Sequence, residues 1–144
     1  MTLLTKTKYT KGLQCHRLMW FADRKRLPEP DLMQEHRFAQ GPQFEVYAKI
    51  LYKGTELGDL EFKENIEKTK ELVQEKKTIF EAGFMFNDLY IRADILEYDN
   101  GWNLYEIKAS TDKPDDLNNK LGKYIPDLAY QRYVIEKSGL KIKK

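Results

Sequence analysis

The sequence predicts an α/β fold: a small mixed sheet with an antiparallel hairpin, flanked by helices. Residues 78–86, 89–98 and 102–110 form three neighbouring strand-like runs, rich in Ile, Leu, Phe and Tyr and separated by short polar turns. The stretches 31–52 and 117–138 on either side of them read as helices. With 144 residues, 41% hydrophobic and 12% aromatic, the chain can bury one adequate core, so a single domain over residues 1–144 is expected.

Taken in order, Thr5 or Thr7 caps a first helix carrying Leu13, Leu18, Trp20 and Phe21, which ends before Pro28 and Pro30. Asp31 caps a second helix through Tyr52, with Phe38, Phe44, Ala48 and Leu51 at helical spacing. Residues 54–59 read as a loop or short strand, and 61–77 as a charged amphipathic helix whose sparse apolar side is Phe62, Ile66 and Leu72. After the strand at 78–86, Asn87-Asp88 makes a turn into the strand at 89–98. Residues 111–119 form a loop, and the last helix runs from Leu117 or Asn118 to Ser138 with Pro126 as an internal kink or break. Gly139 stops it, and a further strand begins at Leu140-Lys141-Ile142. A strand starting so near the last residue looks unfinished, which leaves open a single domain as it stands or a fragment of a longer protein.

Asp99-Asn100-Gly101 joins two of these strands, and its register decides whether their polar residues meet. A two-residue Asn100-Gly101 turn would pair Asp94 with Ile107 and send the Asp94 and Glu106 side chains to opposite faces. A three-residue loop, with a type I turn and Gly101 in the left-handed region, pairs Asp94 with Glu106. That register puts Asp94, Glu106 and Lys108 on one face. Ile91, Ala93, Ile95, Tyr105, Ile107 and Ala109 then form an apolar face on the other side, so the three-residue loop is predicted. Two carboxylates and an ammonium converging on one spot suit a divalent ion that activates water against a phosphodiester. Spacing alone would equally describe an exposed ladder of opposite charges. Strand context, the turn and the downstream helix favour the metal site.

Charge is abundant, 33% of residues, but nearly balanced at +2, which excludes a generally polybasic nucleic-acid coat and leaves room for a local basic groove. Lys6, Lys8, Lys11 and Arg17 with Lys120, Lys123 and Arg132 are candidates for such a groove. The one cysteine, Cys15, argues against a disulfide framework, fits a reducing compartment and is read as a small buried apolar residue. His16 and His36 have no second ligand at zinc spacing and are read as surface residues. No apolar run approaches spanning length and no signal peptide opens the chain, so no membrane role and a cytoplasmic location are expected.

The order of these residues resembles the PD-(D/E)XK nuclease superfamily, and within it the RecB-like branch that includes the CRISPR-associated RecB-like exonucleases. The matching positions are Cys15, Gly41 with Glu45, Asp94, Glu106 with Lys108, and Gln131. The stretch 117–140 looks like the Gln-Tyr helix of an uncharacterised RecB-like family found in longer multidomain proteins. The specific part of the resemblance spans 79–140. It departs from the branch at position 135, Ile where the helix motif has Tyr, with Tyr133 the nearest tyrosine. Relatives with an iron–sulfur cluster use four cysteines; Cys15 alone cannot hold one, and no cluster is expected from this chain.

The resemblance implies a restriction-endonuclease-like core and a metal-dependent nuclease, of exonuclease type, hydrolysing phosphodiester bonds of nucleic acid, with DNA the expected substrate. Asp94, Glu106, the main-chain carbonyl of Ile107 and, from the helix side, Glu45 would hold one or two Mg²⁺ or Mn²⁺ ions. Lys108 would orient or deprotonate the attacking water, or contact the scissile phosphate. Gln131 would position the nucleotide or support the metal's ligands, while Tyr133, Lys120, Lys123 and Arg132 would contact nucleic acid. Two alternatives stay open: a catalytically inactive nuclease-fold module that binds nucleic acid or a partner protein, and a metal-independent interaction domain whose charged strand face is merely solvated.

Overall fold

The computed structural model describes residues 3–108 and 117–144. Its elements are β1 (Leu4–Thr5), α1 (Lys6–Gln14), α2 (His16–Asp23), α3 (Leu32–Ile50), β2 (Thr55–Glu56), α4 (Phe62–Gln74), β3 (Ile79–Phe86), β4 (Leu89–Tyr98), β5 (Trp102–Tyr105) and α5 (Leu117–Lys137). They make a five-stranded mixed sheet in the order β1-β4-β3-β2, with β5 also on β4, flanked by helices.

Strand β4 is the axis of the sheet. β3 pairs with it antiparallel along its length, from Phe86↔Leu89 to Ile79↔Leu96. The other edge of β4 is shared. Its first residues take β1 in parallel, Leu4↔Leu89 and Thr5↔Tyr90, and its last residues take β5 antiparallel, from Ile95↔Tyr105 to Tyr98↔Trp102. The C-terminal residues extend the sheet beyond β5 through a parallel bridge of Ile142 to Trp102 and a bond from Leu104 N–H to the Lys144 carbonyl.

The β4–β5 pairing is the three-residue-loop register; it ends at Ile95↔Tyr105, one position before Asp94 and Glu106 would face each other. The loop itself differs from expectation. Asn100 holds the left-handed conformation at φ 49°, and Gly101 sits at φ 145°, a region that only glycine enters readily. A Cβ on Gly101 would lie 2.9 Å from the Lys143 side chain, which would have to shift to admit one.

Ile91, Ala93 and Ile95 are buried as expected, but the opposite face is covered too: Leu96 and Trp102 are in the core. The first helix is two helices, broken at Cys15 (φ −167°, ψ 125°), which serves as C-cap of α1 and N-cap of α2. Cys15 is exposed, against the expectation of burial, because the break places it at a corner between helices. β5 stops at Tyr105, short of the predicted 110, and Ala109 and Ser110 lie outside the described residues. The short strand β1 escaped prediction. α5 runs through Pro126 without ending.

Helix α4 buries a polar stripe. Its fully covered residues are Asn65, Thr69 and Leu72, spaced four and three apart, and not the Phe62-Ile66 side. The Asn65 amide donates to the carbonyls of Leu57 and Glu81 (2.9 and 3.0 Å), and the Thr69 hydroxyl accepts the Gly83 N–H at 3.0 Å. The two side chains thus act on backbone groups of β3 where β2 has already ended. Gly83 is required for this approach, since a Cβ there would fall 1.9 Å from Asn65 Oδ1. Asn65→Ala or Thr69→Val therefore withdraws the partner of a buried backbone group. Each is expected to lower stability by about 1–3 kcal/mol, read as a shift in urea midpoint at unchanged m-value; a shift within error would contradict this role for α4.

Candidate functional site

Four segments carry the expected chemistry to one place. β1 pairs with the start of β4, and Thr5 then caps α1 by accepting the Lys8 N–H, which makes Lys6 the first helical residue, beside β4. β4 supplies Asp94, the chain just past β5 supplies Glu106, Ile107 and Lys108, and α5 supplies Asp127 and Gln131, four apart on one helix face. Tyr9 of α1 stacks on Tyr130 of α5 with ring centroids 4.4 Å apart, and the Tyr130 hydroxyl donates to the Leu4 carbonyl, so α1, α5 and β1 are tied together beside the cluster.

The cluster is dense and largely dry. Asp94 is 8% exposed, Asp127 5%, Gln131 0%, and the Glu106 side chain 3%. Lys6 Nζ lies 2.9 Å from both Glu106 carboxylate oxygens and 3.6 Å from Asp94 Oδ1. Lys108 Nζ bonds Glu106 Oε1 and lies 3.1 Å from Asp127 Oδ2. Gln131 Nε2 donates to Glu106 Oε2 (2.7 Å) and Asp127 Oδ1 (3.2 Å), while its Oε1, also buried, has no donor among the described residues. The Ile107 N–H donates to Asp94 Oδ2 at 2.7 Å, so Ile107 meets Asp94 through its backbone.

Burial and the adjoining Glu106 carboxylate push the Asp94 carboxyl up, against the pull of Lys6, the Ile107 N–H and Lys108. Burial works against the charge of Glu106 as well, yet Lys6, Lys108 and Gln131 together hold its carboxyl below the ordinary range. Lys6 and Lys108 both lose solvation, and both are nevertheless raised, chiefly by Glu106. Three carboxylates, Asp94, Glu106 and Asp127, face two ammoniums, Lys6 and Lys108, so the ionised cluster is one positive charge short.

A cleft of about 280 Å³ opens beside Asp94, lined by Thr5, Lys6, Thr7, Glu45, Glu81 and Arg92 among others. Glu45 thus borders the same cleft as Asp94, from α3. Glu81 was not singled out by the sequence. It sits on β3 between the paired Phe80↔Ile95 and Ala82↔Ala93, across from Asp94, with φ 57°. Burial, then the Asp94 charge, raise its carboxyl to about 7, although Lys49 lies 3.7 Å away.

Asp127 and Lys6 are the other members that sequence reasoning underused. The signal for Asp127 was its four-residue spacing to Gln131; for Lys6 there was none beyond its charge. Of the expected nucleic-acid contacts, Arg132 and Tyr133 are not gathered here. Gln131 points inward, which turns the next two residues of the helix away: Arg132 pairs with Glu136 at 2.9 Å, and Tyr133 packs on Phe86 and under Lys137. The side chains of Lys120 and Lys123 lie outside the described residues. Lys8 pairs with Asp23 at 2.6 Å.

Among the described residues no three His, Cys, Asp or Glu side chains form a group poised to hold a metal. The donor set is nonetheless of the right kind for Mg²⁺ or Mn²⁺, which use one or two carboxylates and keep several waters. The adjacent Asp94 and Glu106 oxygens and the undonated Gln131 Oε1 fit that chemistry, the latter as acceptor for a metal-bound water. No protein-family model matches the chain, nor does any curated protein or solved structure. Likeness to the PD-(D/E)XK nucleases therefore rests on the residues of the chain alone. No helix among the described residues is long and apolar enough to cross a membrane.

Glu81 offers a pH test. Its folded pKa of about 7 exceeds the ordinary 4.5, so the folded protein keeps a proton that the unfolded chain has lost, and stability falls as pH rises through that interval. Without metal, Glu81→Gln is expected to melt above wild type at about pH 8, with the gap closing as pH drops toward 4.5. A gap that does not change with pH would contradict the raised carboxyl.

Proposed function

We propose that the protein is a metal-dependent nuclease of the PD-(D/E)XK type with a restriction-endonuclease-like core, hydrolysing phosphodiester bonds of nucleic acid, with DNA as first substrate. The observation that carries this reading is the convergence of Asp94 from β4 with Glu106 and Lys108 from the segment after β5, against the buried Gln131 of α5. Nothing in a solvated charge ladder requires a fully buried glutamine with an undonated oxygen.

Asp94 and Glu106 would hold Mg²⁺ or Mn²⁺, with the Ile107 carbonyl as the expected main-chain ligand and Glu45 and Glu81 at the rim of the cleft. Such an ion would supply an activated water and offset charge developing on the phosphoryl group. The Ile107 N–H fixes one Asp94 oxygen and leaves the other toward the cleft side where Lys6 sits. Lys108 is held charged between Glu106 and Asp127, which favours a role as cation, orienting the water or contacting the phosphate, over that of a base. Asp127 anchors both Lys108 and Gln131 and so acts as a positioning residue. Substrate binding led by phosphate contacts would be salt-dependent and weak in sequence preference.

A second reading, an inactive nuclease-fold module that binds nucleic acid or a partner protein, draws on Lys6, which already sits on both carboxylates as a counter-cation. A cleavage assay with Mn²⁺ on single- and double-stranded DNA and RNA separates the two. Wild type should cut. Asp94→Asn and Glu106→Gln should lose cleavage with the circular dichroism spectrum intact, and Lys108→Ala should lose about 10²–10⁴ in rate. A folded wild type that binds DNA but cuts no substrate with any divalent metal would leave the binding module as the function.

A further inference from the structure

The hydrogen bonds to Glu106 fill its acceptor capacity. A carboxylate offers about four lone-pair sites. Lys6 Nζ takes one on each oxygen, Lys108 takes a second on Oε1, and Gln131 Nε2 a second on Oε2. A divalent ion reaching Glu106 must therefore evict a donor. Lys108 and Gln131 are each anchored a second time, on Asp127. Among the described contacts, the other carboxylate of Lys6 is Asp94, the second proposed metal ligand.

We infer that Lys6 is the resident counter-cation of the Asp94–Glu106 pair, and that a divalent ion binds this pair only by displacing the Lys6 ammonium into the adjoining cleft. This rests on the metal-site reading proposed above. Lys6 alone among the described ammoniums lies on both Asp94 and Glu106, so it and a dication compete for the same oxygens, and their repulsion grows as both are drawn from water. The exchange is mechanically simple. Thr5 and the β1–β4 pairing hold the Lys6 backbone, while its four-carbon stem borders the cleft and its side chain is 23% exposed. Displacement exchanges one positive charge for two, which offsets the charge that the cluster lacks. The undonated Gln131 Oε1, beside Glu106 and Asp127, is an independent sign that this arrangement lacks a ligand.

The test is Mn²⁺ binding by isothermal titration, together with thermal melts in EDTA and in Mn²⁺, for wild type, Lys6→Met and Lys6→Arg. Lys6→Met should melt below wild type in EDTA, because two neighbouring carboxylates lose their counter-ion, and should gain more than wild type from Mn²⁺. It should also bind Mn²⁺ about tenfold or more tighter, since no internal cation must be expelled. Lys6→Arg, which keeps the charge, should bind no tighter than wild type. Equal or weaker binding by Lys6→Met, or the same gain in Lys6→Arg, overturns the exchange while leaving the metal site standing. No Mn²⁺ binding by any of the three removes the metal site itself. Should Lys6→Met fail to fold, wild type alone still decides: the Lys6 ammonium signal, slowed in exchange by its carboxylate partners in EDTA, must be lost on adding Mg²⁺, and its persistence with Mg²⁺ bound overturns the exchange.

Discussion

Two carboxylates, Asp94 on β4 and Glu106 just past the end of β5, have their side chains buried side by side, and their compensation organises the surrounding structure. Leaving either charge without a partner would cost several kcal/mol. Lys6 from the start of α1, Lys108 from beyond β5 and Gln131 from α5 all converge on Glu106. Each compensating group arrives from a different segment, so the cluster specifies where those segments sit. β1 is only two residues long, yet its pairing with Leu89 and Tyr90 decides where the Lys6 ammonium lies. The Tyr9–Tyr130 stack holds α1 and α5 in the positions from which Lys6 and Gln131 act.

A protein optimised only for stability would not keep this arrangement. Glu81 sits in the left-handed region opposite Asp94 with its carboxyl raised to about 7, a local cost in both backbone and charge. Well-packed apolar residues in place of the ion pairs would be at least as stable. Perturbed groups in a cleft are a feature that functional sites share with structural ion-pair networks, and here they surround a fully buried glutamine. The polar stripe of α4 is a different case. Asn65 and Thr69 satisfy β3 backbone, and their burial is explained by the fold.

The hairpin was legible because two independent rules agree on it. Strand alternation put Asp94 and Glu106 on one face only in the register that a three-residue loop produces, and β4 runs over the predicted residues 89–98. The same reasoning missed the loop's own backbone, because the C-terminal Lys143 packed against Gly101 is not visible in four residues of turn sequence. The break at Cys15 has no proline or glycine at that residue to announce it. β1 exists only through pairing with a strand more than eighty residues away, and α4 turned its polar stripe inward because the partners it serves lie on β3. Lys6 was hidden for a statistical reason: it is one of 25 Lys and Arg residues, and only the fold sets it apart.

The proposed function stands or falls with a divalent-cation site at Asp94 and Glu106. The most direct check is paramagnetic broadening by substoichiometric Mn²⁺ in amide spectra of the isotopically labelled protein. The backbone signal of Ile107, whose N–H bonds Asp94, and the side-chain amide of Gln131, which bonds Glu106, should broaden first, and Asp94→Asn should abolish the effect. Broadening centred elsewhere, or none while these signals stay sharp, would contradict the account.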